Sequence, residues 1–195
     1  MFEIEIKAWL DNPSETERIV STFAEYAGAS FKSDCYWYNE QQKIEVRVRE
    51  EKFVSKDNKK TETILVTNKT KTVSGGMEVT SENEFQISDK SAFESFLQAA
   101  GFVIQTTKIK STQNYYFNDY HIEIVTVEGI GQFIEAEILS SSNEPSVVEE
   151  CRKTLLRILE KSGVPVENIE PRFYSFLQQN KINSKNRLSF PCNNP

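Results

Sequence analysis

The sequence predicts an α+β fold, mainly antiparallel β, in which eight strands close into a barrel and helices pack outside it. Segments that alternate apolar and charged residues recur along the chain, as in "FEIEIKAW" at residues 2–9. A period of two is typical of strands whose two faces meet different surroundings. Helix-like segments that end in glycine lie between some of these strands. Helices packed outside an antiparallel sheet account for both patterns.

Three parts of the chain repeat the order strand, polar turn, helix and glycine. We expect strands over 2–9, 82–87 and 132–139, each followed by a helix that ends at a glycine: Gly28, Gly101 and Gly163. The first helix begins with Asn12 or Ser14 as its cap and Pro13 in its first turn, because these residues suit a helix N-terminus. Its apolar spacing continues to Tyr26.

The remaining strands lie between these repeats. Their residues alternate or are rich in β-formers, which predicts strands over 35–38, 43–50, 61–69, 114–117 and 120–128. The charged segment 50–62 is interpreted as a turn, and the glycine-containing segment 72–79 as a loop. Residues 129–131 ("GIG") predict a tight hairpin turn.

Length and composition predict one domain over 1–180 and a polar, disordered tail over 181–195. The net charge of −6 argues against broad binding to nucleic acid or to an anionic membrane. No apolar run reaches the ~20 residues of a membrane span. The charged N-terminus does not resemble a signal peptide. The cysteines Cys35, Cys151 and Cys192 are odd in number and widely spaced, which predicts a reducing, cytoplasmic location.

Paired charges are the main functional signal. The carboxylates occur as three Glu-x-Glu pairs, and cations follow the same spacing: Glu3/Glu5, Glu82/Glu84, Glu135/Glu137, Arg47/Arg49 and Lys7 after the first pair. Residues two apart in a strand share a face. Each charged face either lies in water, as is usual for a single strand, or lines the inside of the barrel. An interior of that kind needs metal, phosphate and water to satisfy its charges.

These residues resemble the CYTH superfamily, also called triphosphate tunnel metalloenzymes. The similar segments occur in family order over about residues 2–177: "EIEIK", "DCYWY", "VRVR", "TNK", "ENE", "FLQAAGF", "KSTQNYY", "HIEIVTVEGIGQFIEAEI" and "EPRFY". The last two are most similar to the class IV adenylyl cyclase and thiamine triphosphatase-like branch. The resemblance implies an eight-stranded tunnel that holds a triphosphate and a divalent metal, Mg²⁺ or Mn²⁺.

The resemblance also implies a role for individual residues. The metal ligands would be Glu3, Glu5, Glu135 and Glu137. The phosphate-binding cations would be Lys7, Arg47, Arg49, Lys69 and Lys110. Lys7, Glu5 and Glu135 would act in catalysis, and Glu82 and Glu84 would form a supporting acidic pair. Three positions depart from the family pattern, because Thr112 and Thr80 stand where Arg is common and Val125 stands where Asp is common.

The implied reaction stays open between two chemistries. One is the cyclase reaction, in which ATP gives cyclic AMP and pyrophosphate, and the C-terminal match favours it. The other is hydrolysis of inorganic, thiamine or nucleoside triphosphate. A third interpretation is a module that binds polyphosphate or nucleotide without turnover. The expected partner is a triphosphate-containing small molecule, without nucleic acid or membrane, and the chain is expected to be a monomer or homodimer.

Two further residue types carry weaker signals. His121, the only histidine, lies on an alternating strand without a partner residue nearby in sequence, which is typical of a structural residue. Tyr36 and Tyr38 are either packing residues of a strand or a proton-transfer pair for Lys7.

Overall fold

The barrel predicted from the alternating segments is present. The structure is a computed structural model that describes residues 1–74 and 77–178, without the side chains of 71–74 and 77. Within these ranges eight strands form: β1 (Phe2–Trp9), β2 (Glu25–Asn39), β3 (Ile44–Ser55), β4 (Lys60–Ser74), β5 (Met77–Ile87), β6 (Val103–Phe117), β7 (Tyr120–Val127) and β8 (Gly131–Ser140). All neighbours are antiparallel and close into a barrel in the order β1-β5-β4-β3-β2-β6-β7-β8. The predicted fold class is confirmed.

The helices lie in the connections that the repeats predicted. They are α1 (Pro13–Val20), α2 (Lys90–Ala99) and α3 (Pro145–Lys161), followed by a 3₁₀ turn at Val166–Asn168 and helical residues at 174–178. The side chain of Asn12 accepts a hydrogen bond from the backbone N–H of Glu15, which confirms the predicted cap of α1. Gly101 and Gly163 follow α2 and α3 with φ of +83° and +73°, the left-handed conformation that favours glycine after a helix.

The first helix is shorter than predicted. It ends at Val20, and Tyr26 belongs to β2. Gly28 is not a helix end but part of β2, where the register shifts after Tyr26. A Cβ at Gly28 would lie 2.3 Å from the backbone oxygen of Val54. The glycine is therefore required by the close approach of β2 to β3 rather than by a helix terminus.

Several strands are longer than predicted. β2, β5 and β6 begin before the predicted starts at 35, 82 and 114, and β3 and β4 together cover most of the segment interpreted as a charged turn. The turn itself is limited to 56–59. Opposite charges face each other across the strands there, as in Lys52 and Glu62, whose charged atoms are 3.6 Å apart. Such pairs stabilise exposed, highly charged strands that composition alone favours as a loop.

The two faces of β1 show which way the barrel is oriented. Ile4, Ile6 and Ala8 are buried outside the barrel in a core that includes Leu155 and Leu159 of α3. The alternate residues of β1 therefore face the barrel interior. The charged faces line the inside, as the second interpretation of the sequence predicted.

Part of the interior is apolar. At the carboxyl ends of β1 and β7, Trp9, Val125, Val127 and Phe133 pack with Tyr174 from the C-terminal segment. The rings of Trp9 and Phe133 are tilted, with centroids 4.1 Å apart. Val125, the position where the family commonly has Asp, belongs to this apolar cluster. The charged cavity begins beside it.

Some predictions fall outside the described residues. They include the disordered tail at 181–195, with Cys192, and part of the loop predicted at 72–79. Cys35 and Cys151 are buried and free. No helix in the described part of the chain is long and apolar enough to cross a membrane.

Candidate active site

The barrel interior holds a cavity of about 280 Å³. Its lining comes from all eight strands of the described ranges and from the C-terminal segment. Among the described lining residues ten are glutamates and six are lysines or arginines. Because the acids exceed the bases by four, the cavity alone repels an anion and calls for additional positive charge.

Three of the four predicted metal ligands come together. One oxygen each of Glu3, Glu5 and Glu137 lies within 4.8 Å of the other two. The register places Glu5 opposite Glu137 on the paired strands β1 and β8. Oxygen donors at this spacing fit a hard divalent cation such as Mg²⁺ or Mn²⁺. Within the described residues, Glu135 is not part of this triad.

Mutual repulsion is visible in the electrostatics of the triad. Burial, together with the nearby carboxylates of Glu135 and Glu78, raises the pKa of Glu5 well above its usual value. Burial and Glu3 also raise the pKa of Glu137. Burial would raise the pKa of Glu3 too, but Lys69, a hydrogen bond with Glu137 and Arg47 outweigh it and the pKa is lowered. A bound cation would relieve this repulsion.

Glu135 instead forms an ion pair within the cavity. Its Oε2 accepts a hydrogen bond from Lys110 Nζ at 2.6 Å, and its Oε1 accepts one from the Tyr174 hydroxyl. Lys110 also lies 3.6 Å from Glu123. These carboxylates raise the pKa of Lys110 against the opposing effect of burial, so its ammonium is firmly charged.

The predicted acidic pair, Glu82 and Glu84, forms ion pairs with two of the predicted cations. Arg47 donates to Thr67 at 2.9 Å and to Glu84 at 3.3 Å, and Lys69 pairs with Glu82 and lies 3.6 Å from Glu3. The Nε of Arg47 is buried and has no hydrogen-bond partner among the described residues. A buried guanidinium N–H without an acceptor is costly, and a phosphate oxygen would satisfy it.

The second arginine of the fork has a different environment. Arg49 donates from Nε and Nη2 to both oxygens of Asp34, at 2.6 and 3.0 Å. Lys108 Nζ lies 3.2 Å from Asp34 and donates to the Tyr36 hydroxyl at 2.8 Å. These cations hold the pKa of Asp34 well below its usual range despite burial.

Lys108 has a lowered pKa that suits a general base. Burial, together with the neighbouring Lys110 and Arg49, lowers the pKa of its ammonium to about 8 against the opposing effect of Asp34. At neutral pH a lysine of this kind can give up its proton and act as a base. Tyr36, which the sequence suggested as a partner for Lys7, contacts Lys108 instead. Lys7 pairs with Glu78.

The C-terminal segment completes the cavity wall. The backbone N–H of Glu170 donates to the Lys7 carbonyl at 2.9 Å, and the Trp9 indole donates to the Glu170 carboxylate at 3.0 Å. This anchor brings the Tyr174 ring to 5.4–5.5 Å from the ammonium groups of Lys7, Lys108 and Lys110. Cations at this distance from an aromatic face are attracted to it.

Comparison with known proteins identifies the barrel. The family model described as the CYTH domain matches residues 1–174. The chain belongs to the CYTH domain family. CYTH proteins act on triphosphate substrates, and the tunnel enzymes among them are generally dependent on divalent metals. No curated protein matches the sequence significantly.

Solved CYTH-like structures share the fold. The PH1819 protein of Pyrococcus horikoshii is 24% identical with a TM-score of 0.79, over 92% of this chain and 99% of that chain. A conserved hypothetical protein of Pyrococcus furiosus is 27% identical with a TM-score of 0.72, over 90% of this chain and 99% of that chain. HpAC1 of Hippeastrum, whose dominant activity is that of a triphosphatase, is 16% identical with a TM-score of 0.61, over 91% and 95%.

Several residues of this CYTH cavity escaped the sequence analysis. Lys108 has the same strand parity as Lys110, but β6 was recognised only from residue 114. Asp34 lies one residue before the strand predicted at 35–38, and Glu78 lies in the segment interpreted as a loop. His121, interpreted as structural, lines the cavity and contacts Glu137 at 3.2 Å. Correct strand bounds would have found the first three, and the period of two within the predicted strand 120–128 would have placed His121 on the same face as Glu123.

Two of the three departures from the family pattern are small buried residues. Thr80 of β5 lies opposite Glu3 of β1, and Thr112 of β6 lies opposite Ser30 of β2. Thr112 accepts a hydrogen bond from Asn114 at 3.0 Å. The cavity has basic residues beyond those predicted, Lys32 and Lys108.

Proposed function

We propose that this CYTH protein is a divalent-metal-dependent enzyme that hydrolyses a triphosphate held inside its barrel. One juxtaposition carries the proposal. A triad of carboxylates with cation-binding spacing shares a cavity with Arg47, whose buried Nε has no acceptor among the described residues. The triad provides for a metal and the arginine provides for a phosphate oxygen.

The charge of the lining explains why both ligands are needed together. A triphosphate brings several negative charges to a lining in which glutamates already outnumber basic residues. A divalent ion held by Glu3, Glu5 and Glu137 would neutralise charge on the phosphate oxygens and polarise the phosphorus under attack. Without the ion, the carboxylates oppose substrate binding.

The basic residues would hold the phosphate chain. Arg47 offers its Nε, which no group in the described part of the chain accepts from, and Lys110 is kept charged by Glu135 and Glu123. In the transition state, negative charge grows on the oxygen that leaves with diphosphate, and fixed cations stabilise that charge. Lys7 and Lys69 form ion pairs with Glu78 and Glu82. They would give up part of these contacts when they bind phosphate.

Lys108 would act as the base. Water attacks the terminal phosphorus, a new P–O bond forms, the bridging P–O bond breaks, and diphosphate leaves with the bonding electrons. Neutral Lys108 takes the proton of the attacking water and later releases it to solvent. Tyr36 orients the amine, since their polar atoms are 2.8 Å apart.

The cyclase reaction is a second candidate. The segment "EPRFY", which resembles class IV cyclases, brings Tyr174 into the cavity. In that reaction the ribose 3′-hydroxyl replaces water as the nucleophile. The cavity volume of about 280 Å³ favours hydrolysis, because it lies just below the ~300–1,000 Å³ typical of pockets for organic ligands. A triphosphate chain fills such a space, and a nucleoside would have to lie at its mouth.

One assay separates these reactions and tests the proposal. The protein is incubated with Mg²⁺ or Mn²⁺ and with inorganic triphosphate, thiamine triphosphate or ATP. Phosphate, pyrophosphate and cyclic AMP are then measured. Phosphate release supports hydrolysis, and cyclic AMP with pyrophosphate supports cyclisation. Tight metal-triphosphate binding with no product from any substrate would support a binding module and refute an enzyme.

A further inference from the structure

His121 is held by both of its ring nitrogens. Its Nε2 lies 3.1 Å from Asn114 Oδ1, and its Nδ1 lies 3.2 Å from Glu137 Oε1. The imidazole also stacks on the Tyr116 ring, with centroids 4.9 Å apart and planes 21° apart. A side chain with both nitrogens bonded and one face stacked has little freedom to rotate.

The environment of Asn114 fixes the direction of these hydrogen bonds. Its amide nitrogen donates toward the Gly28 carbonyl, Ser30 Oγ and Thr112 Oγ1, at 3.0–3.2 Å. The amide oxygen must therefore face His121, and an oxygen of this kind only accepts. His121 Nε2 therefore donates to Asn114, and because the carboxylate of Glu137 also only accepts, Nδ1 holds it when Nδ1 carries a hydrogen too and the ring is the imidazolium.

Glu137 needs such an anchor more than Glu3 does. Its side chain is 30% exposed, compared with 18% for Glu3, and Glu3 repels it. Before a cation binds, repulsion favours moving the more exposed carboxylate into water. Because a carboxylate has two oxygens, His121 can hold one while the other stays available to a cation.

We infer that His121 is a positioning residue that holds Glu137 in the metal triad. Asn114 fixes His121, and Ser30, Thr112 and Gly28 fix Asn114. A chain of hydrogen bonds thus connects residues of β2, β6 and β7 to one proposed metal ligand on β8. Partners of this kind orient ligands without contacting the metal. The inference rests on the proposed metal site.

The test measures Mn²⁺ binding to the purified full chain without substrate, by calorimetry and by electron paramagnetic resonance. His121→Phe keeps a ring for Tyr116 to stack on and removes both nitrogens. We expect Mn²⁺ to bind about 10–100-fold more weakly. His121→Gln retains an N–H donor and should lose less. Tyr116→Phe is the matched control, since it keeps the stacked ring, and should bind like wild type.

A double variant shows whether His121 acts through Glu137. If it does, adding His121→Phe to Glu137→Gln should weaken Mn²⁺ binding no further than Glu137→Gln alone. Circular dichroism verifies that each variant is folded, and His121→Gln serves if His121→Phe is not. Wild-type affinity in the His121 variants, alongside a loss in Glu137→Gln, would overturn the positioning role alone. A wild-type chain that binds no Mn²⁺ would overturn the proposed metal site and the inference with it.

Discussion

Replacing Lys108 by Arg tests the assignment of the catalytic base. Arginine keeps a positive charge in the cavity, but it does not lose its proton in proteins and cannot act as a base. The variant therefore separates binding of phosphate from removal of a proton. We expect triphosphate to bind while kcat/KM falls by about 10²–10⁴-fold, the usual contribution of a positioned base.

The pH dependence follows from the environment of Lys108. Its pKa falls from 10.5 to about 8, which corresponds to about 3 kcal/mol by which the buried site disfavours the ammonium. Because the pKa is lowered to about 8, the fraction of neutral Lys108 rises between pH 7 and pH 9 rather than near pH 10.5. About one-tenth of the free enzyme carries neutral Lys108 at pH 7 and about nine-tenths at pH 9. We expect kcat/KM to rise about tenfold across this range.

The assay is phosphate release from triphosphate at saturating Mg²⁺, with kcat/KM measured from pH 6.5 to 9.5. Lys108→Arg also serves as the control for ionisation of the substrate, because the substrate titrates identically in assays of the variant and of the wild type. In Asp34→Asn the rise should move to lower pH, because Asp34 raises the pKa of Lys108. Refutation would be a wild-type profile that Lys108→Arg retains, since the titrating group would then lie elsewhere.

Three further predictions concern the metal, the arginine fork and the triad. Mg²⁺ or Mn²⁺ with triphosphate should raise the melting temperature by relieving repulsion among the carboxylates, and EDTA should abolish turnover; activity that survives thorough chelation would contradict the metal requirement. Arg49→Lys should weaken triphosphate binding, measured by calorimetry, while the circular dichroism spectrum stays unchanged. Lysine cannot donate in parallel to both oxygens of Asp34 and still present a planar group to phosphate. Unchanged affinity would show that Arg49 binds only Asp34. Glu5→Gln should reduce turnover to below about one-tenth. The same variant should melt higher than wild type in EDTA at pH 7, because Glu5, whose pKa is raised by burial, destabilises the fold when ionised; a lower melting temperature would contradict that burial effect.

The sequence could predict the barrel because its signal is local. In β1 apolar and charged residues alternate from Phe2 to Ala8, and the predicted bounds of 2–9 match the strand. The ends of β2 and β6 depend on long-range pairing. Residues 25–34 and 103–113 are polar or irregular in pattern, and their pairing with each other over the length of two long strands decides their conformation. A helical spacing that reached Tyr26 was therefore misleading.

The site was predictable where residues two apart share one strand, and not where different strands meet. Spacing and resemblance selected Glu3, Glu5 and Glu137, whose carboxylates lie close together, and their role as metal ligands stays a prediction. Glu135 has the same spacing, but the position of Lys110 and Tyr174 draws it into an ion pair instead. Which acid joins the triad depends on the register between β8, β6 and the C-terminal segment, and no local pattern contains that register.

The alternation within each strand also limits how this protein can diverge. In β1, the residues that build the core and those that line the cavity occupy alternate positions of one strand. A substitution at Glu5 leaves every other side chain on its own face of β1, whereas deletion of a single residue before it would turn the glutamates toward α3 and Ile4 and Ile6 into the cavity. Mutations that replace residues can thus diversify the reaction within an unchanged scaffold. Insertions and deletions should be confined to the connections, where 56–59 and 128–130 lie between paired strands.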